Sequence, residues 1–189
     1  MARRQKTDEV DKITKHHSSD RMPHGRLYLV RHSDPDKLYP GPYKLLPGPS
    51  LSIVGIQKAE RLRDFFSGIK VNKIICSPFE RALQTATIIG GSALVPVKSK
   101  AWSEEAPFEH YQHIEKRVSL WLKGNLPVNG EIILVVGHGA TLNAAIELLA
   151  PKVFKGAKRD SEGNVVDKAG VWLIEWSSGK IVYCGPSET

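Results

Sequence analysis

Apolar residues fall into two patterns along this chain. Continuous short runs mark strands covered on both faces, and residues spaced three and four apart mark helices packed on them. Leu27-Tyr28-Leu29-Val30 is the first run, and it leads directly into Arg31-His32-Ser33. Ile53, Ile56, Ala59, Leu62 and Phe66 follow near helical spacing. Residues 51–66 therefore read as the first helix, with Ser52 as its N-cap and Gly68 near its stop. Val71 to Cys76 reads as a second strand. Ser77-Pro78 breaks it and opens a helix over 79–89, with Ser77 suited to the cap and Pro78 to the first position.

Gly90-Gly91 ends that helix, and Ala93 to Val97 reads as a short third strand. Tyr111, Ile114, Val118, Trp121 and Leu122 give the apolar face of a helix over 108–122. After a turn at 125–130, Ile132 to Val136 has the unbroken apolar character of a central parallel strand. Gly137-His138-Gly139 follows, and then a helix over about 140–149. Pro151 to Asp167 is polar and basic and reads as a loop. Val171 to Trp176 and Lys180 to Tyr183 alternate about Ser177-Ser178-Gly179, the pattern of a hairpin at a sheet edge.

Strands alternating with helices predict an α/β fold. The expected architecture is a three-layer α/β/α sandwich with a mostly parallel central sheet and an antiparallel C-terminal edge hairpin. Residues 1–25 lack apolar periodicity and read as a mobile basic tail ahead of a single domain over 26–189. Residues 33–50 hold Pro35, Pro40, Gly41, Pro42, Pro47, Gly48 and Pro49, so no regular element fits there. A long irregular loop leaving a strand end is expected to wall a pocket.

Composition narrows the partners. The 189 residues are 41% apolar and 25% charged, enough for a full core. A formal charge of +7 favours anionic partners, namely phosphorylated substrates, nucleic acid or membrane surfaces. Part of that charge lies in the first 26 residues, where Asp8, Glu9, Asp11 and Asp20 interrupt it. That interruption argues against a nucleic-acid arm. No apolar run approaches the roughly 20 residues that span a bilayer, so no membrane partner is expected. The basic N-terminus has no apolar core of a signal peptide. Two cysteines, Cys76 and Cys184, make no disulfide framework, and a reduced, cytoplasmic protein is expected.

The candidate chemistry sits at strand ends. Arg31 offers a planar fork of donors suited to phosphate, and His32 is a nucleophile if kept unprotonated. Arg81 falls in a helix's first turn, where amide donors already favour an anion. His138 follows the central strand, and Gly137 and Gly139 let the backbone come close to a ligand. Glu104 or Glu105 follows the third strand, where partial desolvation would raise a carboxyl toward the range useful to a general acid. His16-His17 and His110 with His113 have spacings open to a metal, but no further ligands cluster beside them, and they read as solvated histidines. Two Arg, two His and a carboxyl group suit the binding and attack of a phosphoryl group by side chains alone.

Taken together, these stretches resemble the histidine phosphatase superfamily, also called phosphoglycerate mutase-like. The resemblance rests on Leu29-Val30-Arg31-His32, on Leu51-Ser52 through Gly55 to Ala59, on Ser77-Pro78-Phe79-Glu80-Arg81-Ala82-Leu83-Gln84-Thr85-Ala86, and on Val136-Gly137-His138-Gly139. It implies a phosphomonoester phosphatase acting on a small phosphorylated substrate or a phosphoprotein, with no metal or other cofactor. It implies His32 as the nucleophile that becomes phosphorylated, with Arg31, Arg81, His138 and Gly139 on the phosphoryl group. It also implies Glu104 as the proton donor, since Trp102-Ser103-Glu104 resembles the family's Leu-x-Glu. Ser33 stands where the family usually has Gly. The mutases' substrate-contacting Ser and Asn, and their Glu-Arg-His-Tyr-Gly stretch, are replaced by Asp34-Pro35-Asp36-Lys37 and Glu104-Glu105-Ala106-Pro107. A phosphatase is therefore expected over a phosphoglycerate-type mutase or a non-catalytic module that binds phosphorylated ligands.

Overall fold

Residues 24–184 are described by the structure, a computed structural model. The expected tail lies outside them apart from His24 and Gly25, and so do His16 and His17. Six strands form one sheet in the order β3-β2-β4-β1-β5-β6. They are β1 (Arg26–Arg31), β2 (Lys73–Cys76), β3 (Val97–Lys98), β4 (Ile132–Gly137), β5 (Val171–Glu175) and β6 (Lys180–Tyr183). The β1–β4, β4–β2 and β2–β3 pairs are parallel, whereas β5 pairs antiparallel with both β1 and β6. The mixed α/β architecture with its antiparallel edge hairpin is the expected one.

Helices cover both faces. They are α1 (Ile53–Phe66), α2 (Glu80–Gly90), α3 (Tyr111–Asn125), α4 (Gly139–Leu149) and the short α5 (Pro151–Gly156). Strand periodicity sorts the core between the faces. Leu27 and Leu29 of β1 join Trp102 and the α3 and α4 residues Ile114, Leu122, Leu142 and Ile146. Tyr28 and Val30 join the α1 and α2 residues Leu62, Phe66, Ala82 and Ala86. Burying a Leu or Ile side chain contributes roughly 2 kcal/mol, so β1 anchors both layers at once.

Several boundaries differ from the expected ones. Helix α1 turns Gly55, Ala59, Leu62 and Phe66 inward, leaving Ile53 and Ile56 exposed. A Cβ at Gly55 would lie 2.0 Å from the Asp34 carbonyl oxygen. The first turn therefore packs backbone against loop, a contact that apolar spacing cannot register. Helix α2 starts at Glu80, with Phe79 as its N-cap residue, so Ser77 and Pro78 precede it. Helix α3 starts at Tyr111, because Phe108 adopts φ 65° and is fully exposed. Pro151 opens α5, which replaces the first part of the expected loop. The third strand shrinks to Val97–Lys98 and runs into a 3₁₀ turn that buries Trp102.

Candidate active site

Parallel pairing brings three strand ends to one level. Arg31 is opposite Gly137, and Cys76 is opposite Val136. The His32 amide donates to the Gly137 carbonyl at 3.0 Å, and the Ser77 amide to the Val136 carbonyl at 2.9 Å. His32, Ser77 and His138 thus meet at the carboxyl edge of the sheet, where open α/β sheets place their ligand crevice. Arg31, His32, Ser77, Arg81 and His138 are all buried.

The hydrogen bonds define the state of His32. Its Nδ1 lies 2.7 Å from the Ser33 carbonyl oxygen, which only accepts, so Nδ1 carries the proton. Its Nε2 lies 3.3 Å from Arg81 Nε, which only donates, so Nε2 presents a lone pair. Burial, then the neighbouring His138 and Arg81, hold the His32 pKa well below its ordinary value. An imidazole neutral at physiological pH, with its free nitrogen turned into the site, is a poised nucleophile. The Ser33 amide donates to Thr85 Oγ1 at 3.1 Å, and Thr85 Oγ1 donates to the Arg81 carbonyl at 2.7 Å. This chain ties the loop after β1 to helix α2.

Arg81 is completely buried, with its guanidinium between the rings of Tyr43 and Phe79, 4.5 and 5.0 Å from their centroids. Its Nη2 donates to Glu104 Oε2 at 2.8 Å. Gly48, at φ 68°, allows this packing, because a Cβ there would lie 2.8 Å from Arg81 Nη1. His138 sits in the middle of the same group. Its Nδ1 lies 3.2 Å from Glu104 Oε2, its Nε2 2.8 Å from Ser77 Oγ, and its ring centroid 4.9 Å from that of His32. Burial lowers the His138 pKa, and the Glu104 carboxylate partly offsets this.

Glu104 departs from expectation in its ionisation. Burial works to raise its pKa, but the His138 and Arg81 contacts outweigh burial and hold the carboxyl well below its ordinary range. In the free site Glu104 is a carboxylate. Glu105 turns outward and pairs with Lys44 at 2.8 Å across the rim. The geometry thus separates two adjacent acids that sequence alone leaves equivalent.

Arg31 has partners the sequence did not signal. Its Nη1 donates to Asp160 Oδ2 at 2.6 Å and to the Val166 carbonyl at 3.1 Å. Its Nη2 donates to Glu162 Oε2. Both acids lie in the segment read as basic, and they reach the site because the chain folds back over β1 before β5. Asn164 fills the space beside Gly139, where a Cβ would lie 2.0 Å from Asn164 Oδ1. The close approach at Gly139 is therefore made by the protein itself. Ser77, read as a helix cap, and Thr85 and Tyr43 are further site residues that spacing did not single out. Arg31 Nε and Arg81 Nη1 are buried without a hydrogen-bond partner among the described residues.

The cavity above this floor measures about 420 Å³ and is lined by Arg31, His32, Tyr43, Glu104, Gly139 and Glu162, among others. His32, Glu104 and His138 hold ligand atoms within 4.8 Å of one another, a set that a metal ion can use. The Arg81 guanidinium already donates to the His32 and Glu104 atoms such an ion needs. The arrangement suits an anion instead. The exposed rings of His110 and His113 meet edge to face with centroids 5.9 Å apart, and neither lines this cavity. No helix among the described residues is long and apolar enough to cross a membrane.

Comparisons with known proteins bear on the family and the fold. The sequence profile described as histidine phosphatase superfamily (branch 1) matches residues 27–104. The adenosylcobalamin/alpha-ribazole phosphatase of Escherichia coli (strain K12) is 30% identical over 73 residues, a match that spans 39% of this chain and 36% of that protein. Among solved structures, Bacillus stearothermophilus YhfR superposes with a TM-score of 0.63 at 21% identity, covering 87% of this chain and 98% of its own. The alpha-ribazole phosphatase of Shigella flexneri gives 0.65 at 18% identity, covering 85% and 95%. A phosphoserine phosphatase from Entamoeba histolytica gives 0.56 at 18% identity, covering 87% and 98%. The fold is shared with all three, and residues 27–104 match the histidine phosphatase superfamily profile.

Proposed function

We propose that the protein is a phosphatase that hydrolyses small phosphomonoesters through a phosphohistidine on His32. The observation that carries this reading is the tautomer of His32. Nδ1–H is spent on the Ser33 carbonyl, and the Nε2 lone pair faces Arg81, Glu104 and His138. Nε2 attacks phosphorus in line with the leaving oxygen, and the P–O ester bond breaks as the N–P bond forms. Arg31, Arg81 and His138 spread the charge on the three other oxygens, a task otherwise given to a metal. The proton for the leaving oxygen comes from Glu104. Water then attacks phosphorus, Glu104 accepts its proton, and orthophosphate leaves with Nε2 again free.

Glu104 is ionised in the free site, so it must gain a proton before it can donate one. A phosphate that enters takes over Arg81 and His138, the two groups that hold Glu104 down. The incoming dianion also repels the carboxylate. Both changes raise the Glu104 pKa, so proton uptake accompanies substrate binding. The leaving group has the remainder of the cavity, lined by Tyr43, Tyr111 and Asn143.

The test is phosphate release from an aryl phosphate in the presence of chelator, together with trapping of 32P-labelled protein in acid-labile form. Turnover and label by the wild type, with neither in His32→Ala, is the expected result. Turnover that survives His32→Ala overturns the reading. Phosphate exchange between positions of a sugar acid, faster than release, reassigns the protein as a mutase. Binding without turnover makes it a phospho-ligand module.

A further inference from the structure

Arg31 and Arg81 each carry a carboxylate in the place a phosphate would take, but their partners are built differently. Asp160 is fixed. Its Oδ1 accepts from the Glu162 amide at 2.9 Å and the Asn164 amide at 2.8 Å, and its side chain is 18% exposed. Among the described residues, Glu162 has no backbone amide on its carboxylate, and it is 54% exposed; its Oε2 reaches in from solvent to Arg31 Nη2 and otherwise accepts only a long bond from Asn164 Nδ2 at 3.4 Å. Its other oxygen lies 3.3 Å from Lys168 Nζ. Lys168 and Glu162 both line the cavity.

An anion that binds Arg31 therefore displaces Glu162 and not Asp160. Released from Arg31, Glu162 keeps its tether to Lys168 and stays on the cavity wall, where the leaving group must lie. The positive charges there are already matched, Lys168 by Glu162 and Lys44 by Glu105. Among the described residues, a second anion on the substrate finds no unpaired cation on this wall and meets a carboxylate.

We propose that Glu162 is a specificity-determining residue, which competes with phosphate for Arg31 and then selects phosphomonoesters with neutral or cationic leaving groups over those with a second anion near the ester. This inference rests on the site reading above, but it concerns binding and can be tested apart from turnover.

Glycerol 3-phosphate and 3-phosphoglycerate differ by one carboxylate and make a matched pair, with phosphoethanolamine as the cationic arm. Dissociation constants are measured by calorimetric titration of the wild type, Glu162→Gln and Glu162→Ala. The wild type is expected to bind 3-phosphoglycerate about twofold to fivefold more weakly than glycerol 3-phosphate, the size of a partly exposed charge interaction. Both variants are expected to erase most of that gap, to weaken phosphoethanolamine, and to bind orthophosphate several-fold more tightly. A gap unchanged in both variants overturns the inference. Equal tightening of all three esters also overturns the selection, leaving Glu162 as a mere competitor. If no ester is turned over while the gap is present and closes in the variants, the phosphatase reading fails and this one stands.

Discussion

The floor of the site and its rim are built on opposite principles. The floor is His32, Ser77, Arg81 and His138, delivered by strand ends whose register is fixed by the core. All are buried, and each side chain is held by another part of the fold. The rim is Lys44, Glu105, Glu162 and Lys168, carried on loops and joined by part-exposed ion pairs. A buried polar group that loses its partner is costly, while an exposed pair contributes at most about 1 kcal/mol. On the proposed function the floor supplies pre-organised chemistry, and on the proposed role of Glu162 the rim supplies adjustable selection. Substitutions should divide sharply along this line.

The largest effect is expected at His32. His32→Ala removes the nitrogen proposed to attack and should lower phosphate release by at least ~10³-fold, since a missing nucleophile is not replaced by its neighbours. Steady-state release with a retained circular dichroism spectrum is the measurement, and loss of activity with loss of fold would not count. Arg81→Lys comes next. Lysine keeps the charge but cannot donate at once to Glu104 and lie near His32, so kcat should fall about 10²-fold to 10³-fold. A smaller drop would mean that Arg31 and His138 carry the charge of the transition state without Arg81.

The division also explains what could be read without coordinates. Strand β1, strand β4 and the residues that end them were legible, because continuous apolar runs and register are properties of the core. His32 and His138 meet as the parallel pairing of β1 with β4 requires, and the helix after β2 brings Arg81 to them. The pairing of Arg31 with Asp160 and Glu162 was not legible. It depends on a segment crossing about 130 residues of sequence to fold over β1, and nothing in its polar composition marks the acids as inward. The raised pKa expected for Glu104 failed for a related reason. Desolvation was foreseen from position, but the contacts to His138 and Arg81 that outweigh it are tertiary. The inward turn at Gly55 was hidden because glycine adds nothing to an apolar pattern.

Glu104→Gln should lower kcat about 10²-fold for alkyl phosphates and about tenfold for an aryl phosphate, whose leaving oxygen needs less protonation. Equal losses for both would remove Glu104 as the proton donor. Acidity gives a milder effect of defined sign. His32, His138 and Glu104 are all held below their ordinary values in the fold. The unfolded chain then binds protons that the folded chain refuses, so stability is greatest above the ordinary imidazole pKa of 6.5 and falls as pH drops below it. The acid loss of kcat/KM should likewise begin below that value, because His32 of the free site stays neutral through it. Thermal unfolding and kcat/KM followed between pH 8 and about pH 4 read both, and an enzyme acid limb centred at or above the ordinary imidazole value would contradict the burial of His32.

The smallest effect is expected at Glu105, and it is the most discriminating about the floor and the rim. Glu105 is adjacent to Glu104 in sequence, yet its carboxylate pairs with Lys44 where both side chains are part-exposed. Glu105→Gln should therefore change kcat by no more than about twofold and leave its pH dependence in place. Since Lys44 belongs to the loop that carries Tyr43 over Arg81, KM is expected to move more than kcat. High salt should weaken the pair in the wild type and reproduce the shift in KM, with the variant indifferent to it. A loss in Glu105→Gln that exceeds the loss in Glu104→Gln would transfer the proton donor to the rim, and the separation of buried chemistry from exposed selection would no longer describe this site.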